Sequence, residues 1–347
     1  MFNDKSTYRY DVVTLGETML RFTPPGRNRL EQASELQVHV GGSESNTIVG
    51  LARMGLRTAW ISSLPNSALG RIVAGEIARH GVDVQHTLWK DDARMGLYFL
   101  EEGGPPRGSS VIYDRRDSAM SRMKPEDLPE DVFVDARFRA FHTTGITLAI
   151  SDSARATAER AVCLAKASGA LISFDVNYRA KLWSPAQAAQ GCDAILQQAD
   201  LVFLPDRDAQ ALFGVPAIEQ PVAALRQLSA LYPQAAWILT RGRIGSMALA
   251  QGEIYEQGIF GSDEVGRLGG GDAFSAGFLA SYLDDRPRDH ALTPPLSTEP
   301  ARVRMALLWG AATSALKYSM PGDLPLVTRH EVAALAAAGG KSSGLLR

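Results

Sequence analysis

From about residue 125 onward, short apolar runs alternate with helix-length stretches, and this rhythm restricts the fold more than any other feature. The strand-like runs are 138–145, 170–177, 199–205 and 235–242, and the helical stretches lie at 151–168, 186–198 and 218–231. Parallel strands need a crossover long enough to hold a helix, and strands buried on both faces read as continuous apolar runs. The pattern predicts an α/β fold with a doubly wound, mostly parallel sheet. It extends toward the N-terminus through strands at 11–16 and 57–64 and helices at 43–54 and 68–81. Ser43 or Ser45 is positioned to cap the first helix, and Gly81 to stop the second. With 347 residues the chain is long enough for one large domain, and we read 1–347 as a single α/β unit.

Two segments break the rhythm. Residues 17–41 mix short alternating runs with a Pro-Pro-Gly turn, and 94–121 hold two strand-like runs around "GGPPRG". Paired with each other, they would form a small sheet across one end of the large one. The stretch "AALAAAGGKSSG" near the C-terminus reads as a helix running into a loose tail.

In an open α/β sheet, ligands bind beyond the carboxyl ends of the strands. Gly16 with Glu17, Gly145, "DVNYR" (175–179), "PDRD" (205–208) and "TRGRIG" (240–245) all fall there. The segment "RLGGGDAFSAGF" (267–278) sets Gly269, Gly270 and Gly271 before a helix predicted from Asp272 to Leu283. A helix N-terminus carries unpaired N–H groups and the positive end of the dipole, and glycines let that backbone close on a phosphate. Asp272 would repel a resting anion. A carboxylate there suits a general base that takes a proton from a hydroxyl attacking a phosphoryl group. The alternative is structural: Asp272 favours the dipole and the glycines make a turn.

Several function classes are excluded. Lys plus Arg number 36 against 38 Asp plus Glu, a net charge of -2, so there is no basic excess for nucleic acid. No apolar run is long enough to span a bilayer, and the N-terminus lacks a secretory signal. Cys163 and Cys192, far apart and outside any CxxC pattern, read as small buried hydrophobes in a reducing compartment, which favours the cytoplasm. "GGKSS" (339–343) lacks the leading glycine of a Walker A loop, since Leu335 stands there. No GxGxxG follows a strand, no GxSxG is present, and the six histidines are scattered.

The chain resembles the ribokinase-like (PfkB) carbohydrate kinases. "GGGDAFSAGF" is similar to their C-terminal signature, and "VGGSESNTIVGLARMG" (40–55) to their N-terminal one. The resemblance runs from about 11 to 332. "VIYDRRDSA" (111–119), "FDVNYRAKLW" (174–183) and "YSMPGDLPLVTRHEV" (318–332) resemble 2-keto-3-deoxygluconate kinases in particular. This implies transfer of the γ-phosphate of ATP to the 6-hydroxyl of that sugar acid, with Mg2+ accompanying the nucleotide.

The resemblance further implies that Asp272 is the base and that Gly269, Gly270 and Gly271 form the anion cradle. Gly41, Gly42 and Asn46 would meet the sugar. Tyr98, Tyr113 and Arg115 would reach in from a lid built of the two β excursions, and Arg179 would meet the acid end. Thr240, Arg241, Gly242 and Gly245 would shape the nucleotide side, and the lid would pair with a second copy in a dimer or higher homo-oligomer. Two departures stand out. Pro205 and Asp208 replace the family's asparagine and glutamate, which leaves Asp208 as a metal-facing carboxylate acting through water. Gly266 stands where many relatives carry an aspartate, which removes support for a monovalent-cation site. The same chemistry on fructose, keto-deoxygalactonate or a nucleoside, or a non-catalytic sugar- or nucleotide-binding homologue, are the alternatives.

Overall fold

The computed structural model describes residues 8–134, 138–266, 268–284 and 300–339. The expected tail after the last helix, from 340, lies outside these residues, as does Arg267.

The strands are β1 (Tyr10–Leu15), β2 (Met19–Thr23), β3 (Gln37–Gly41), β4 (Thr58–Pro65), β5 (Val82–Asp83), β6 (Thr87–Lys90), β7 (Leu97–Glu101) and β8 (Ser110–Asp114). They continue with β9 (Phe138–Thr144), β10 (Leu171–Asp175), β11 (Leu201–Pro205), β12 (Ala236–Thr240), β13 (Ser246–Ala250) and β14 (Glu253–Gln257). The helices are α1 (Ser43–Arg53), α2 (Ala68–Ala78), α3 (Glu130–Val134), α4 (Gly145–Ala149), α5 (Asp152–Ala167) and α6 (Pro185–Leu196). After them come α7 (Asp206–Phe213), α8 (Pro221–Leu231), α9 (Gly270–Asp284), α10 (Pro300–Tyr318) and α11 (Arg329–Ala337).

The large sheet has the order β14-β13-β12-β11-β10-β9-β1-β4-β5, with β6 also on β4. Every pair from β12 to β5 is parallel, and β13 and β14 add an antiparallel edge. The chain leaves β1 toward β4 and later returns to β9 on its other side, so the strand order reverses at β1. The doubly wound, mostly parallel fold is as expected.

Strand alternation builds two cores. Val13, Leu15, Phe141, Ile172 and Phe174 face one side and pack with α5, α6 and α8. Val12, Ala140, Leu171, Phe203 and Ile238 face the other and pack with α1, α9 and α10. Adjacent residues such as Val12 and Val13 thus serve opposite layers, as a period of two requires.

The two β excursions do pair. β3, β2, β7 and β8 form a separate four-stranded sheet, parallel between β2 and β7 and antiparallel elsewhere. Phe22 and Phe99 stack across it at 5.5 Å.

Two sequence expectations need correction. The N-cap of α1 is Gly42, with no side-chain cap, and Ser43 and Ser45 lie inside the helix. Ser45 Oγ donates to the Gly42 carbonyl at 3.0 Å, whereas Ser43 is drawn to a different partner. Cys192 is buried but Cys163 is exposed, because it lies on the outer face of α5. No helix among the described residues is long and apolar enough to cross a membrane.

Candidate active site

α1 and α9 approach closely because both carry small residues where they touch. A Cβ on Gly50 would come within 2.9 Å of the Ala276 Cβ. The approach brings the first turns of the two helices together around one carboxylate. Asp272 Oδ1 accepts from Ser43 Oγ at 2.6 Å, and Oδ2 accepts from Asn46 Nδ2 at 2.7 Å. Asn177, held at φ 41 after β10, donates through Nδ2 to Ser43 Oγ at 2.7 Å and so extends the chain of polar contacts.

Burial pushes the Asp272 carboxyl above the usual aspartate range, against the pull of the Ser43 and Asn46 bonds and of the Arg179 charge. Asp175, at the end of β10, is pushed up to about 8 by burial and by its charged neighbour Asp272. Two interacting carboxyls in one site titrate as a pair, and one of them holds its proton more firmly.

The three glycines have different reasons to be bare. Gly269 has φ 71, and a Cβ there would meet the Asp323 carbonyl at 2.1 Å. At Gly270 it would enter the Tyr318 ring at 2.4–2.5 Å. Packing alone demands both. Gly271 is exposed, with no atom within 4 Å of where a Cβ would sit. It is the position left open to a ligand at the start of α9.

Beyond the glycine turn lies a cavity of about 750 Å³. Thr240, Arg241, Gly242 and Gly245 form one wall and Gly270 and Gly271 another. Gly242 and Gly245 have φ 54 and 124, and a Cβ on Gly245 would strike the Gln257 carbonyl at 2.1 Å. The tight β12–β13 connection therefore needs glycine and keeps this wall low. Asp206 and Arg207 line the cavity, whereas Asp208 is buried behind them.

Gly41, Gly42, Tyr98, Tyr113 and Arg115 lie on or beside the small sheet. Gly41 permits close packing: a Cβ there would sit 2.7 Å from the Tyr98 hydroxyl. A Cβ on Gly42 would strike the Glu17 carbonyl at 2.2 Å. The Tyr98 and Tyr113 rings are 5.8 Å apart, and the Arg115 guanidinium lies 5.8 Å from the Tyr113 centroid. Arg115 is ion-paired with the buried Glu17, which also accepts from Ser118. Arg179 is exposed in the loop after β10, and its charge acts on Asp272, Asp175 and Asp208. Tyr98 is buried, and Tyr113 half exposed.

Reasoning from sequence assigned no site role to Ser43, Glu44 or Asp323, and named Asn177 only as part of a patch. Glu44 is fully buried beneath α1, where its Oε1 accepts from Thr144 N, Thr144 Oγ1 and Thr147 Oγ1 at 3.0, 2.8 and 2.6 Å. Burial pushes its carboxyl up to about 7. The "DVNYR" patch did signal Asn177. Ser43 and Glu44 sat inside a recognised signature without a role of their own.

The pattern of the pfkB family carbohydrate kinases matches residues 9–298. The chain is 38% identical over 322 residues to a 2-dehydro-3-deoxygalactonokinase of Haloferax volcanii, covering 93% of this chain and 95% of that one. It is 30% identical over 315 residues to a 2-dehydro-3-deoxygluconokinase of Thermoproteus tenax, covering 90% and 89%. Among solved structures, a 2-dehydro-3-deoxygluconokinase of Thermotoga maritima superposes with a TM-score of 0.80 at 29% identity, covering 94% of this chain and 99% of that one.

Proposed function

Because the chain belongs to the pfkB family of carbohydrate kinases, and so is an ATP-dependent phosphotransferase, we propose that its acceptor is a 2-keto-3-deoxy sugar acid. The observation that carries the phosphoryl-transfer part of this reading is Asp272, buried in the first turn of α9 beside the exposed Gly271, which lines a cavity of about 750 Å³. In this reading the whole chain works as one unit, and the small sheet is its lid.

ATP fits the cavity lined by Thr240, Arg241, Gly242 and Gly245, with its phosphates reaching the amides of Gly269, Gly270 and Gly271. Those amides stabilise charge on the transferring phosphoryl group. Asp272, held by Ser43 and Asn46, takes the proton of the 6-hydroxyl as that oxygen attacks. Gly41, Gly42 and Asn46 line the sugar side, and Tyr98, Tyr113 and Arg115 reach it from the lid. Lid closure excludes water and limits wasteful ATP hydrolysis.

Magnesium supplies charge neutralisation at the phosphates when bound. No group of three or more acidic, His or Cys side chains suited to a metal occurs among the described residues. The donors nonetheless fit a hydrated hard cation. The charge of Asp208 helps to raise Asp175, and a hydrated cation held near these carboxylates would offset that charge. Asp208 would act through water.

The acid end of the substrate calls for a cation, and Arg179 offers its guanidinium fork at the site mouth. The sequence motifs resemble those of 2-keto-3-deoxygluconate kinases, and the Haloferax relative is named for the galactonate form. The two differ in configuration at one carbon. The kcat/KM of each epimer, with 31P NMR of the product, decides between them and checks that C6 carries the phosphate. A neutral sugar such as fructose is the second reading. It draws on the Arg115–Glu17 pair, which already neutralises one of the two arginines. A homodimer through the lid belongs to the proposal, since Val38 and Ile112 expose apolar surface on the small sheet. Sedimentation of wild type and a Val38→Lys/Ile112→Lys variant tests it: a monomeric wild type contradicts it.

A further inference from the structure

Asp323 lies in the turn between α10 and α11, after Gly322 at φ 82, and is only 5% exposed. Its Oδ1 accepts the Tyr98 hydroxyl of β7 at 2.8 Å. Its Oδ2 stands 3.0 Å from Arg21 Nε of β2, at an angle too poor for a hydrogen bond, so this contact is held by charge. Its backbone carbonyl fills the space beside Gly269 that a side chain there would need. One residue therefore touches two strands of the small sheet and the turn that opens α9.

Arg21 is itself 2% exposed, and its other acidic neighbour, Glu102, is 3.8 Å away and about half exposed. A buried ion pair is a weak source of stability, because well-packed apolar residues often do as well or better. What such a pair fixes is geometry, since a charge left without its partner is costly to bury. The Arg21–Asp323 contact therefore holds the small sheet in one position relative to the glycine turn. It also fixes the polarity of Tyr98. The phenol has one proton, and that proton is committed to Asp323, so toward a sugar Tyr98 can only accept from a hydroxyl.

We propose that Asp323 is a positioning residue that latches β2 and β7 of the small sheet to the Gly269 turn, setting the sugar side and the phosphate side of the site in register. The inference deepens the kinase reading and rests on it for its kinetic test alone.

Two measurements on Asp323→Asn and Arg21→Lys test it. The first is hydrogen–deuterium exchange, which needs no turnover. Both variants should speed exchange in Met19–Thr23 and around 269–273 together, by roughly tenfold. Unchanged exchange in either segment overturns the latch. The second is steady-state kinetics. Both variants should raise KM for the sugar roughly tenfold while KM for ATP stays within about twofold, and the double variant should be no worse than the poorer single one. An unchanged sugar KM, or effects that multiply, also overturns it. Arg21 is 2% exposed and offers almost no surface to a ligand, so mere loss of a sugar contact would not produce its effect. If Asp323→Asn does not fold, Arg21→Lys decides by the same two readouts. Failure of the kinase reading would show as a wild type without turnover, while the exchange result still tests the latch.

Discussion

The Asn46 side-chain amide donates to Asp272 Oδ2 over 2.7 Å, across 226 residues of chain. With Ser43 on the other oxygen, both ends of the carboxylate are held by the first turn of α1. A carboxylate held at both oxygens in this way has its orientation set by α1.

Asp272→Asn should fold normally and lower kcat by roughly 10²- to 10⁴-fold, the usual worth of a positioned base. Thermal unfolding and steady-state kinetics check the two halves. The wild-type rate should fall as pH drops through a midpoint above the ordinary aspartate range, because burial raises this carboxyl and only its ionised form accepts a proton.

Substitutions in the glycine turn should separate packing from phosphate binding. Gly271→Ala meets no atom within 4 Å and should keep wild-type stability while losing about tenfold or more in kcat/KM for ATP. Gly270→Ala runs into Tyr318 and should lower both stability and activity. Melting curves beside ATP titrations distinguish them.

Glu44 should make stability depend on pH in a direction opposite to that of a paired carboxylate. Its folded pKa is about 7, above its unfolded value, so the folded state holds the proton longer. Stability through this group is full at low pH and declines as pH rises from the unfolded pKa toward about 7. Glu44→Gln carries no such loss. Urea unfolding across this window should show the variant gaining on wild type as pH rises, by a total on the order of a few kcal/mol.

Arg179→Ala should raise KM for a keto-deoxy sugar acid roughly tenfold or more, the cost of a charge-assisted contact, and leave KM for ATP nearly unchanged. Equal effects on acidic and neutral acceptors would remove Arg179 from carboxylate recognition.

Much of the fold was legible because strand and helix periods alternate cleanly from β9 to β12. The antiparallel edge was not. "SMALA" in β13 is buried throughout, so it lacks alternation, and its alanines favour helix in isolation. It becomes a strand only through pairing with β12 and β14. In the site, Asp272 announced itself by its glycine-rich surroundings, and Asn46 through the family resemblance of the segment it sits in. Ser43 did not, since a serine at a helix start looks like a cap, and only the fold brings it 2.6 Å from a carboxylate 229 residues away. Asp323 was hidden for a similar reason. An aspartate after Pro-Gly reads as an ordinary turn residue, and its partners Arg21 and Tyr98 belong to distant strands.

The most direct test of the account is ADP release with Mg-ATP across 2-keto-3-deoxygluconate, its galacto epimer, fructose, ribose and adenosine. Turnover confined to one or both keto-deoxy acids is the result predicted here. Efficient turnover of a neutral sugar or of adenosine, with neither acid accepted, would contradict the assigned substrate class.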